Sequence, residues 1–122
     1  MLAEIALVTK LNSSGYSAVW IDNFHRRVWS SMKDHLPLSE FIESGINNKN
    51  ARETFLKLLS AKKGSRGGLW DVFAWNGIGA AGFFELKLRK NDRLGEKQLD
   101  TFKLAQTVAP SLSFYVAEWD WD

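Results

Sequence analysis

The apolar run Phe83-Phe-Glu-Leu-Lys-Leu88 carries an acid and a base two residues apart, Glu85 and Lys87, and Asp71 heads Asp-Val-Phe-Ala-Trp75 fourteen residues upstream of Glu85. Read as a strand, the run puts Phe84, Leu86 and Leu88 on one face and Phe83, Glu85 and Lys87 on the other. In a hairpin turning through Asn76 to Ala81, the start of the first strand lies near the end of the second, which brings Asp71 toward Glu85 and Lys87. Two carboxylates held together repel unless a proton or a cation sits between them, and hard oxygen donors favour magnesium or manganese. Such an ion binds a phosphate oxygen and lowers the pKa of a bound water, while a nearby ammonium orients that water or stabilises developing charge. The plain alternative is an exposed Glu–Lys pair on a solvated sheet face.

Two helices contribute further polar groups to this arrangement. On a wheel of 100° per residue, Glu4 falls between Val8 and Leu11, in the middle of the apolar stripe of a first helix over Leu2 to Leu11. Gln98 shares a stripe with Leu94, Phe102 and Ala105 in a later helix, Leu94 to Ala109, so its amide points inward. Buried polar groups need partners, and two aimed at one sheet suggest a shared polar site. Glu53 competes with Glu4 as the helical acid, but it lies opposite Phe55, Leu58 and Leu59, on the solvated side of its own helix.

The elements that must position these residues follow from periodicity. A helix ended by Asn12-Ser-Ser-Gly15 leads to a strand over Tyr16 to Asp22, rich in branched and aromatic residues. Residues 24–66 read as a basic helical insertion, with helices at Leu38 to Ser44 and Asn50 to Lys62. A glycine-rich basic loop, Lys62-Lys-Gly-Ser-Arg-Gly-Gly68, precedes the hairpin strands Leu69 to Trp75 and Gly82 to Leu88, and Ser113 to Trp119 forms a last strand. The expected fold is a single α/β domain over residues 1–122, a mixed sheet with a helix on either face. Gly77-Ile-Gly79-Ala-Ala-Gly82 spells a dinucleotide fingerprint, yet a strand rather than a helix follows it, so no nucleotide cofactor is expected.

With 122 residues there is room for one core, and without cysteine there is no disulfide framework, zinc ribbon, iron–sulfur cluster or cysteine nucleophile. Nine basic residues against four acidic ones between residues 24 and 66 give that stretch +5 and leave −3 over the rest. A basic half beside an acidic half suits a phosphate-gripping surface next to a cation site. His25 and His35, without cysteine partners, do not suggest zinc. The N-terminus lacks a basic signal region and no apolar run has membrane-spanning length, so the expectation is a soluble intracellular protein of a bacterial cytoplasm or a phage host, with no membrane partner.

These residues resemble the PD-(D/E)XK nuclease superfamily, whose restriction-endonuclease-like core runs α-β-β-β-α-β with an acid on the first helix, an Asp on the second strand and Glu-x-Lys on the third. Gly68-Leu-Trp-Asp-Val-Phe-Ala-Trp75, together with Phe84 to Gln98 and above all Lys90-Asn-Asp-Arg-Leu94 and Lys97-Gln98, is similar to the VRR-NUC family, which includes the nuclease domain of the Fanconi-associated nuclease. The resemblance covers residues 68–119 and the first helix, but not the 24–66 insertion. Trp70 stands where the family usually has proline.

The resemblance implies a Mg- or Mn-dependent endodeoxyribonuclease acting on branched DNA such as four-way junctions, as a homodimer. It implies that Glu4, Asp71, Glu85 and the Leu86 carbonyl hold the metal, that Lys87 serves the attacking water and that Gln98 supports the site. Arg89, Lys90 and Arg93 would meet phosphates flanking the scissile one, and Arg26, Arg27, Lys62, Lys63 and Arg66 more distant ones. The tail Glu118-Trp-Asp-Trp121 would join a dimer contact or cap the sheet edge. Open alternatives are a non-catalytic nucleic-acid-binding module of the same fold, a ribonuclease, and an interaction protein whose acids are surface charge.

Overall fold

In the computed structural model, which describes residues 2–63, 67–88 and 93–119, one mixed sheet of six strands carries helices on both faces. The chain runs α1 (Leu2–Ser13), β1 (Ser17–Asp22), β2 (Arg27–Trp29), β3 (His35–Pro37), α2 (Leu38–Glu40), a π-helical turn (Phe41–Gly45), α3 (Lys49–Ala61), β4 (Val72–Trp75), β5 (Ala81–Leu88), α4 (Glu96–Val108) and β6 (Ser113–Trp119). The sheet order is β3-β2-β1-β4-β5-β6. Every pairing is antiparallel except β5 with β6, the two strands joined by α4. Among the described residues no helix is long and apolar enough to cross a membrane.

The stretch read as a basic helical insertion over 24–66, described to residue 63, is helical only in part. It adds two strands to the sheet, through Trp20 opposite Trp29 and Trp29 opposite His35. It also supplies α3, whose Ala51, Phe55 and Leu58 are buried in the main core with Phe73, Trp75 and Phe83. The helix expected at Leu38 to Ser44 is a single turn followed by the π-helical turn. The Gly77 to Gly82 fingerprint covers most of the β4–β5 turn and the first two residues of β5.

The two faces hold separate cores. On one, α1 lays Val8 against Ala18, Val72 and Ala74, with Phe84 and Leu86 packed at the margin. On the other, α3 and α4 cover Val19, Ile21, Phe73 and Phe83. Phe55, Phe73 and Phe83 are fully buried and in mutual ring contact, with centroids 4.7–6.0 Å apart. Truncating one to alanine removes about 3–5 kcal/mol of stability.

Candidate active site

The reversal between α1 and β1 places Glu4. Gly15 takes φ +92°, Tyr16 N–H donates to the Leu11 carbonyl, and Ala18 N–H donates to Asn12 Oδ1, so the strand runs back beneath the helix. From Ser13 back to Glu4 the helix covers about 14 Å, and from Ser17 to Ile21 the strand covers about 13 Å. Glu4 therefore stands level with Ile21, whose N–H donates to the Asp71 carbonyl at 2.7 Å.

Asp71 and Glu85 are locked together by backbone. Asp71 N–H donates to Glu85 Oε1 at 3.0 Å, and Leu86 N–H donates to Asp71 Oδ2 at 3.0 Å. Glu85 is only 3% exposed, on the face that carries Phe83 and is covered by α4. This rules out the solvated Glu–Lys pair. Gln98, in the first turn of α4, accepts from Gly95 N–H through Oε1 at 2.9 Å and donates through Nε2 to Glu85 Oε2. Lys87 Nζ lies 3.3 Å from the same Oε2. One buried carboxylate thus receives a backbone N–H, an amide and an ammonium, as a buried anion requires.

Among the described residues, the Asp71 carboxylate accepts from the Leu86 N–H and from no amide or ammonium. Burial and then the Glu85 charge push its carboxyl up to about 7, with Glu4 acting in the same sense and the Leu86 N–H opposing. The raised Asp71 carboxyl favours holding a proton in a place where a cation would relieve the same repulsion. The carboxylates of Asp71 and Glu85 and the neighbouring Leu86 carbonyl offer hard oxygens, the donor type that magnesium and manganese take. Glu4 reaches the pair through its charge, but among the described residues no three His, Cys, Asp or Glu side chains close into a metal cage. Glu53 is exposed on α3, away from this end.

Trp70 is the residue that sequence reasoning missed. It is buried, its indole N–H donates to the Gln98 carbonyl at 3.1 Å, and its ring packs on Phe102 and Phe114. The segment before Asp71 is thereby fastened to the helix that holds Glu85. Its signal was the apolar pair Leu69-Trp70 directly before the acid. Next to it Gly68, at φ +85°, lies so close to α4 that a Cβ would stand 2.5 Å from the Lys97 carbonyl oxygen. This packing keeps residues 69–71 out of β4, which starts at Val72 rather than at Leu69.

The basic residues divide. Arg26, Arg27, Lys63 and Arg93 are exposed. Lys62 differs from the expected phosphate contact: its ammonium turns inward, donating to the Gly67 carbonyl and to Thr101 Oγ1, both at 2.9 Å. Burial, opposed by Asp100 and aided by Lys97, pushes it below the ordinary lysine range. Arg66, Arg89 and Lys90 lie outside the described residues, as does the end of the Glu118 to Trp121 tail. Comparison of the chain with family models, curated proteins and solved structures finds no match.

Proposed function

We propose that this protein is a metal-dependent nuclease that hydrolyses DNA phosphodiester bonds, with branched DNA as its preferred substrate. The observation that carries the reading is the convergence of Asp71, Glu85, Lys87 and Gln98 at one end of the sheet, with the Asp71 carboxyl raised by its neighbour. The order α1-β1-β4-β5-α4-β6 also fits the α-β-β-β-α-β core of restriction-endonuclease-like enzymes, with β2 to α3 as an elaboration between the first two core strands.

A magnesium or manganese ion held by Asp71, Glu85 and the Leu86 carbonyl would supply an activated water and a Lewis acid for the phosphate. The protein's own groups do the positioning. Gln98 and Lys87 fix the rotamer of Glu85, and the Leu86 N–H fixes Asp71 Oδ2. Lys87, with side-chain exposure of 17%, reaches both Glu85 and solvent, so its ammonium can orient a water toward a phosphate or steady the charge that develops there. Arg26, Arg27, Lys63 and Arg93 then serve as backbone grips without reading sequence. A homodimer belongs to the same proposal. β6 is an edge strand with Tyr115 exposed on one face and Val116 on the other, and its free edge is one that a second copy can pair with.

The test is cleavage of labelled duplex, flap and four-way-junction DNA, and of matching RNA, in magnesium or manganese beside Lys87→Ala. Symmetric cuts at the junction that vanish in the variant support the reading. Binding without cutting by the unaltered protein points to the non-catalytic module, and cutting of RNA alone points to a ribonuclease.

A further inference from the structure

The β1–β2 turn, Asn23 to Arg26, projects from the same end of the sheet as Asp71. Asn23 Nδ2 donates to the Leu69 carbonyl at 2.9 Å, two residues before Asp71, and Ile21 N–H donates to the Asp71 carbonyl itself. The turn is braced from within. Asp22 Oδ1 accepts from His25 N–H at 3.2 Å, Asp22 Oδ2 lies 2.8 Å from His25 Nδ1, and the Arg26 carbonyl accepts from Leu38 N–H. Arg26 holds φ +55°, a conformation that a non-glycine residue keeps only where its surroundings impose it.

At the tip of this turn Phe24 is 87% exposed, with the His25 ring in an edge-to-face contact with it. Isolated exposed apolar residues are ordinary, and Ile78 is as exposed in the β4–β5 turn. The setting separates them: Ile78 stands at the opposite end of the sheet among glycine and alanine. Phe24 is followed by His25, Arg26 and Arg27, and the Arg27 guanidinium is aimed by a 2.8 Å contact with His35 Nδ1. An exposed ring on a turn that also carries an exposed arginine suits nucleic acid whose bases are accessible: the ring stacks on a base and the Arg26 guanidinium takes a phosphate.

We propose that Phe24 is a base-stacking residue that receives an unpaired nucleobase near the cleaved bond, and so selects DNA with unpaired bases, such as flaps and bulges. Phe24 lies three residues beyond Ile21, in the turn that follows the end of β1. The inference rests on the nuclease reading and names its substrate class.

The experiment uses two fluorescein-labelled DNAs, a paired duplex and the same duplex with one unpaired 2-aminopurine, bound to the Lys87→Ala protein so that neither is cut. The expected result is about tenfold tighter binding of the unpaired-base DNA, with quenching of 2-aminopurine as it stacks. Adding Phe24→Ala abolishes both the preference and the quenching, while Phe24→Trp retains them, and circular dichroism of all three stays the same because the ring is outside the core. Preference and quenching that survive Phe24→Ala, or equal binding of the two DNAs by a protein whose unaltered form does cut DNA, overturn the stacking role alone. If the protein neither binds nor cuts either DNA, the nuclease reading fails and the stacking role goes with it.

Discussion

The Asp71 N–H donates to Glu85 Oε1 while the two side-chain carboxyls face one another, so the β4–β5 hairpin holds together two groups whose charges repel. Gln98, Lys87 and the Asp71 N–H all serve Glu85, which leaves Asp71 as the member whose charge is unfavourable. The strain of the site is therefore electrostatic and concentrated on a single carboxyl.

Its pH signature has a definite sign. The Asp71 carboxyl is raised from an ordinary value of 3.8 to about 7, so between these values the folded protein holds a proton that the unfolded chain has released. That contribution is fully present below about pH 4 and is lost as pH rises through about 7. Without divalent ions, the melting temperature is expected to fall by several degrees from pH 5 to pH 8. Asp71→Asn offers a neutral amide in place of the acid, so its melting temperature should stay flat over that range and exceed the parent's at pH 8. Scanning calorimetry of both proteins decides the matter, and parallel curves would sink the assignment.

Divalent ions should act on the same repulsion. At pH 8, millimolar manganese is expected to raise the melting temperature of the parent protein and to leave Asp71→Asn and Glu85→Gln unmoved, since binding only the folded state stabilises it in proportion to occupancy. Gln98→Ala removes the amide that orients Glu85 without removing a donor oxygen, so the manganese concentration needed for half the shift should rise about 10- to 100-fold. An identical manganese response in all four proteins would show that the ion binds elsewhere.

The hairpin, the two flanking helices and the last strand were legible because each has a period long enough to read. Strands β2 and β3 were not, because three residues carry no alternation; Arg27–Trp29 and His35–Pro37 are strands only through their pairing. Alternation in β5 told which residues share the face of Glu85, but not that α4 covers that face, a contact set by residues far along the chain. Glu4 and Gln98 could be suspected because a polar residue interrupts an apolar stripe. Lys62 could not, because a lysine in a basic run looks the same in sequence whether its ammonium points to solvent or to Thr101.

Trp70→Phe separates packing from the hydrogen bond to Gln98. The ring contacts with Phe102 and Phe114 persist, while the Gln98 carbonyl loses the indole donor. The expected cost is about 1 kcal/mol, or a fall of about 4 °C in melting temperature. The manganese response should also weaken, because the loop bearing Asp71 loses its hydrogen bond to the Gln98 carbonyl and is held to α4 by packing alone. Lost stability with an unchanged manganese response would make Trp70 a core residue and nothing more.

Gly68→Ala against Gly77→Ala tests the packing of that same loop. At Gly68 the backbone has φ +85°, and the added methyl group would meet the Lys97 carbonyl at 2.5 Å and Thr101 Oγ1 at 2.9 Å, one of them backbone that cannot swing aside. At Gly77 a methyl group meets nothing within 4 Å. Strain from an incompatible backbone exceeds about 1 kcal/mol, so Gly68→Ala should lower the melting temperature by at least about 4 °C and Gly77→Ala should leave it nearly unchanged. Because the displaced loop leads directly into Asp71, Gly68→Ala should also blunt the fall in stability from pH 5 to pH 8, by letting Asp71 move away from Glu85 into water. A Gly68→Ala protein as stable as Gly77→Ala would mean that the loop does not rest on α4 in solution, and the placement of Asp71 would have to be argued from the β4–β5 hairpin alone.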